Sequence, residues 1–154
     1  KNFDLSIQTA WSYGNDIYNK GIKKMTNTAN PWGNKIAIVN DRWSPENPNN
    51  QITSFNTGAS GDINSAAYSR FIEDGSFLRV SNITLGYQFP KKNAKSLGVN
   101  SIRLYGAVDN AFLWTNYSGW DPDVSVGNNQ LTPGLDIDSY PRERTFRLGV
   151  NVKF

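Results

Sequence analysis

The chain has 154 residues, the length of one domain, with 38% hydrophobic and 19% charged residues, a formal net charge of +3, and neither cysteine nor histidine. Those absences exclude disulfide staples, thiol chemistry, histidine acid–base catalysis and most zinc sites. No run of about 18 apolar residues exists, which excludes a spanning helix but not a spanning β-barrel, whose alternating strands keep mean hydropathy low. Lys91, Lys92 and Lys95 form a tight basic cluster, too small a footprint for a nucleic-acid partner.

The opening stretch KNFDLSIQTAW carries no basic head followed by an apolar run, so no signal peptide is visible. A strand is predicted over 2–13, because Phe3, Leu5, Ile7, Trp11 and Tyr13 share one parity while Asp4, Ser6, Gln8 and Ser12 share the other. Residues 14–74 are rich in Asn, Gly and Pro and predict a long loop with at most a short helix around Lys35–Trp43. A second strand is predicted over 76–89, where Ile83, Leu85, Tyr87 and Phe89 alternate with Asn82, Thr84, Gly86 and Gln88. Leu78 and Val80 fall on the opposite parity, and a bulge near Ser81 would absorb that slip.

Residues 90–100 read as a compact turn, with Pro90 ending the strand and Gly98 helping to reverse the chain. A third strand is predicted over 101–114, with Ile102, Leu104, Val108, Phe112 and Trp114 set against Ser101, Arg103, Tyr105 and Asp109. The segment 115–141, broken by DPD, VGNNQ and TPG, predicts a second long loop. The closing strand, 143–154, sets Phe146, Leu148, Val150, Val152 and Phe154 against Thr145, Arg147, Gly149, Asn151 and Lys153.

Each run is about ten residues or more, which suits a tilted strand crossing a membrane better than an ordinary soluble strand. One short turn and two long loops match the asymmetry of outer-membrane barrels. With a periplasmic C-terminus, 90–100 falls on the periplasmic side and 14–74 and 115–141 are extracellular. The alternative is a soluble β-sandwich acting as a carbohydrate-binding module, since alternation by itself does not tell lipid from a second packed sheet. Two features favour the membrane. The apolar faces end in aromatics, as interfacial girdles do. Four strands also leave edges that nothing in the chain covers.

Taken together, these segments resemble the C-terminal end of the SusC/RagA-type TonB-dependent outer-membrane transporters of Bacteroidetes-like bacteria. FDLSIQTAWSYGNDIYN is similar to the family's strand and loop entry, and DRWSPENPNNQI to its RW-T/S-PENP loop. YSRFIEDGSFLRVSNITLGYQFP, the most specific stretch, resembles the family's DGSFLRLKNVTLGY strand. IRLYGAVDNAFLWTNYSGWDPDVS and LTPGLDIDSYPRERTFRLGVNVKF resemble the next strand with its outer loop and the closing segment. The resemblance implies an all-β fold: the last four antiparallel strands of a transmembrane barrel of about 22 strands, with two long extracellular loops. It implies import of oligosaccharides or peptides, a SusD-like lid lipoprotein, and a TonB complex reached through upstream regions. Motifs of the plug domain and the TonB box are absent from these residues. Phe154 is similar to the terminal aromatic read by the outer-membrane assembly machinery, or it simply anchors its strand at the interface.

Candidate sites divide three ways. Trp32, Trp43, Trp114, Tyr117 and Trp120 are candidates to stack on sugar rings, clamp a peptide or meet the lid, with loop packing the plainer role. Asp4, Arg103, Asp109 and Arg147 lie on the polar parity and would face the lumen, where mutual pairing is favoured over lining a substrate path. Asp121 and Asp123, with Asp136 or Asp138, would make an irregular calcium site, because Val126 and Thr132 spoil an EF-hand loop. No cofactor is otherwise expected, and no residue pattern points to an enzyme.

Overall fold

The computed structural model describes residues 2–28, 32–48, 52, 54, 68–124, 133–137 and 139–154. The chain forms two compact units. One comprises 1–13, 76–116 and 141–154; the other comprises 14–75 and 117–140.

The first unit is a single antiparallel sheet of four strands: β1 (Phe3–Ser12), β4 (Phe77–Gln88), β5 (Ser101–Thr115) and β7 (Thr145–Lys153), in that spatial order. The ladder aligns the alternating residues into transverse rows. Leu5 faces Leu85, Leu85 faces Gly106 and Gly106 faces Leu148. Ile7, Ile83, Val108 and Phe146 form the next row. One face of the sheet is therefore apolar across all four strands. It is also open: Leu5 is 62% exposed, Leu85 53% and Leu148 92%. A sandwich would bury these residues against a second sheet, and among the described residues none covers them.

The parity slip in β4 is absorbed as expected. The register skips Ser81, whose hydroxyl donates to the Gln8 carbonyl at 3.1 Å. On the β5 side Asn110 takes a left-handed φ of 49°, and its amide donates to the Glu143 carbonyl at 2.8 Å. The bulge returns Leu78 and Val80 to the apolar face opposite Trp114 and Phe112, and turns Arg79, 3% exposed, to the polar face.

The 90–100 connection holds a short helix that turn composition did not reveal, α2 (Lys91–Ser96). Gly98, with φ 74°, closes it, and the Val99 amide returns to the Ala94 carbonyl at 3.2 Å.

The second unit corrects the reading of 14–74 as an almost unstructured loop. It contains β2 (Asp16–Asn19), α1 (Lys20–Met25), β3 (Ile72–Asp74) and β6 (Leu135–Asp136). The helix expected around Lys35–Trp43 is a 3-10 turn over Ala37–Asp41. β2 lies between β3, antiparallel to it, and β6, parallel to it. Ile17, Val39, Ile52, Phe71 and Tyr117, each 5% exposed or less, form its small core. Strands of two to four residues have no readable period, because their stability comes from partners far along the chain.

Candidate functional site

The loop unit is built on a polar knot at the end of β2. Asn19 is buried, and its carbonyl oxygen caps α1 by accepting the Ile22 amide at 2.9 Å. Its amide nitrogen donates to Glu73 at 2.9 Å and to the Ser118 hydroxyl at 3.3 Å. The Ser118 amide and hydroxyl donate to the same Glu73 carboxylate at 2.9 and 2.8 Å. Three chain segments are tied here by one amide and one carboxylate. Asn19 lies 54 residues from Glu73 and 99 from Ser118, so no local spacing announced the knot.

Tyr117 belongs to this framework. It is 5% exposed, and its hydroxyl donates to the Asp136 carboxylate at 2.6 Å, which also accepts the Ser139 amide at 3.0 Å. Burial, then the Asp136 carboxylate, pushes the Tyr117 hydroxyl above its ordinary range and keeps it a donor. A buried ring cannot stack on a solute, so the expectation of Tyr117 as a contact aromatic is corrected to packing. Tyr117→Phe leaves one oxygen of the buried carboxylate, Asp136 Oδ2, without its hydroxyl donor and is expected to destabilise the loop unit by about 1–3 kcal/mol. Faster hydrogen exchange at the Ser139 amide measures it. Since the folded hydroxyl titrates above the unfolded one, its contribution is intact below the ordinary tyrosine value of 10.0 and fades as pH rises beyond it. A protection factor at Ser139, with the intrinsic base-catalysed rate divided out, that does not fall above that pH would contradict this assignment.

Above the knot lies a cavity of about 640 Å³ lined by Trp120, Lys24, Lys35, Asn27, Asn34 and Ser139, with Asn19 and Asp136 reaching it from the buried framework. Trp120 is 70% exposed and presents its ring at the wall. Indole, amides and ammonium groups on a rigid floor suit a polar solute carrying hydroxyl or carbonyl groups. The other candidate aromatics do not join it. Trp32 is 94% exposed in a turn, and Trp43 is 43% exposed with its amide donating to the Ile52 carbonyl at 2.9 Å. Trp114 lies inside β5 on the apolar face, opposite Leu78, as its strand parity predicts, and not among the loop aromatics.

On the polar face of the sheet, the four charged candidates form two pairs. Arg103 donates to both oxygens of Asp4, Nη2 to Oδ2 at 2.5 Å and Nε to Oδ1 at 3.2 Å. The pair crosses β4 directly over Gly86, where a Cβ would lie 2.5 Å from Asp4 Oδ1. Only a bare backbone leaves room for the bridge. Arg147 reaches Asp109 at 2.8 Å, and Asn82 donates to the same carboxylate oxygen at 2.7 Å. The Tyr105 ring covers Gly149 in the same way as the bridge covers Gly86.

Asp121 and Asp123 lie in one short turn, in which the Asp121 carboxylate accepts the Asp123 amide at 2.9 Å. Asp136 is engaged by Tyr117, and Asp138 lies outside the described residues. Among the described residues, no three His, Cys, Asp or Glu side chains gather as a metal site would require.

Comparison with known proteins agrees with this architecture. The chain is 33% identical over 159 residues to TonB-dependent receptor P3 of Formosa agariphila, matching 100% of this chain and 15% of that protein. It is 33% identical over 156 residues to TonB-dependent receptor SusC of Bacteroides thetaiotaomicron, matching 100% of this chain and 14% of that protein. Its fold superposes on the RagAB peptide importer in the closed-closed state with a TM-score of 0.78 at 22% identity, covering 100% of this chain and 16% of that one. No family model matches the chain. The chain thus spans about 15% of the length of the curated relatives it matches. Along its whole length the chain is thus similar to one part of these TonB-dependent receptors, SusC among them, and its fold to one part of the RagAB importer.

Proposed function

We propose that this segment forms part of the barrel wall and two outer loops of an outer-membrane importer for oligosaccharides or peptides. Such an importer takes energy from a TonB complex and is closed by a SusD-like surface lipoprotein. The observation that carries the reading is the open apolar face. Four long strands present a continuous hydrophobic surface that water would not tolerate, and a hydrocarbon layer satisfies it. The similarity to receptors named TonB-dependent supports the same conclusion.

In this reading the polar face with its two ion pairs lines the lumen, and the loop unit with the Trp120 cavity stands outside the cell. The C-terminus and the turn carrying α2 are periplasmic. Cysteines replacing Asp41 and Asp123 in the whole receptor should react with an impermeant maleimide on intact cells, and one replacing Lys92 should not. Uptake of a labelled oligosaccharide and oligopeptide panel completes the test. Trp120→Ala should weaken the half-saturating concentration of the imported class about three- to ten-fold, the worth of one aromatic contact. Labelling at Lys92 alone, or uptake indifferent to the receptor's presence, would overturn the reading.

A further inference from the structure

The apolar face carries one feature that hydrocarbon does not explain. At the loop end of the sheet, Trp11, Leu78 and Trp114 form one transverse row, and Thr9, Val80 and Phe112 the next. The first row borders an open cleft of about 480 Å³ between strand ends, with Tyr13 and Phe77 on its sides. Phe112 and Trp114 stack with ring centroids 5.6 Å apart and planes 22° from parallel. An aromatic belt alone would account for these rings. The Arg144 guanidinium, however, sits over the outward ring of Phe112 at 5.9 Å. Its Nε donates to the Asn110 carbonyl at 3.5 Å, a backbone group displaced by the β5 bulge.

Arg144 stands just before β7, and a cation at headgroup depth is tolerated and draws an anion there. The ring and the carbonyl lie within reach of the guanidinium, whose planar fork matches the oxygens of a phosphate. Beside it, the Trp11–Trp114 cleft offers an apolar slot at the depth where an acyl chain begins.

We infer that Arg144 and the Trp11–Trp114 cleft form a docking site for the phosphorylated glycolipid of the outer leaflet, lipopolysaccharide, through a lipid A phosphate and an adjoining acyl chain. The inference rests on the proposed outward position of the loop end. Its occupant is distinct from the transported nutrient, since the site lies on the face opposite the ion pairs. Charge complementarity selects the glycolipid, because a phosphate must meet the guanidinium while the acyl chain lies along aromatic rings.

The test uses the whole receptor in phosphatidylethanolamine nanodiscs, titrated with diphosphoryl lipid A and read by native mass spectrometry. Arg144→Gln should lower the bound fraction at least about five-fold, as loss of one charge-assisted pair predicts. Trp114→Leu should lower it less, Arg144→Lys should restore part of it, and Leu148→Ala, farther along the same face, should leave it unchanged. Dephosphorylated lipid A should bind the unaltered receptor as weakly as diphosphoryl lipid A binds the Gln variant. Equal binding by the unaltered receptor and Arg144→Gln, indifference to the phosphates, or equal retention of phosphatidylglycerol would overturn the inference. The import reading fails separately. An importing receptor with no Arg144-dependent binding sinks the docking site alone, and a receptor that binds lipid A but imports nothing sinks the import reading alone.

Discussion

Val150→Arg is expected to destabilise the receptor barrel in lipid by about 2–4 kcal/mol, the cost of a cation on the hydrocarbon face near the bilayer midplane. Val150 and Leu148 flank the centre of β7, are 59% and 92% exposed, and face Leu104 and Gly106 across the ladder. Phe146 and Phe154 lie towards the two ends, where the penalty for arginine falls to about 0–1 kcal/mol. Arginine substitutions at 146, 148, 150, 152 and 154 should therefore trace a profile peaking at the middle positions. Asn151→Arg should cost much less, because Asn151 lies on the polar face opposite Arg103, whose charge Asp4 already balances. Refolding equilibria in lipid vesicles measure the series. A cost that follows local crowding instead of distance from the strand centre would argue against hydrocarbon as the partner of this face.

Gly134→Ala should damage the loop unit far more than Gly98→Ala, although both glycines have nearly the same positive φ. Gly134 has φ 75° and Gly98 φ 74°, so each substitution bears about 1–2 kcal/mol of left-handed strain. Around Gly98 a new Cβ meets nothing within 4 Å, whereas at Gly134 it would lie 2.6 Å from the Asp16 carbonyl oxygen. That oxygen belongs to backbone and cannot swing aside. The Gly134 carbonyl accepts the Tyr18 amide at 2.8 Å beside the parallel β2–β6 pairing, so the clash pries that pairing apart. The combined loss should reach about 2–4 kcal/mol. It should speed hydrogen exchange at the Tyr18 amide about 30-fold or more. Equal effects of the two substitutions would mean that the β6 contact contributes nothing to the unit. The Trp120 cavity depends on the same framework, so ligand uptake should fall with Gly134→Ala and survive Gly98→Ala.

The sheet was legible residue by residue because its information is local. A period of two over ten residues identifies a strand and its faces at once, and the out-of-phase Leu78 and Val80 located the bulge at Ser81. Asp4, Arg103, Asp109 and Arg147 share the polar parity for the same reason, and there they form two ion pairs. Which carboxylate met which guanidinium was not readable, because that depends on register across three strands and on the bare backbone at Gly86. The loop unit was illegible for a deeper reason. Its strands are two to four residues long, its core gathers single apolar residues from distant segments, and its polar knot joins Asn19, Glu73 and Ser118 across up to 99 residues. Tertiary structure alone decided that Tyr117 is framework while Trp120 is a cavity wall, although the two aromatics stand three positions apart. Burial is a property of the assembled unit, and a side chain's neighbours in sequence do not set it when the contacts that bury it are long-range.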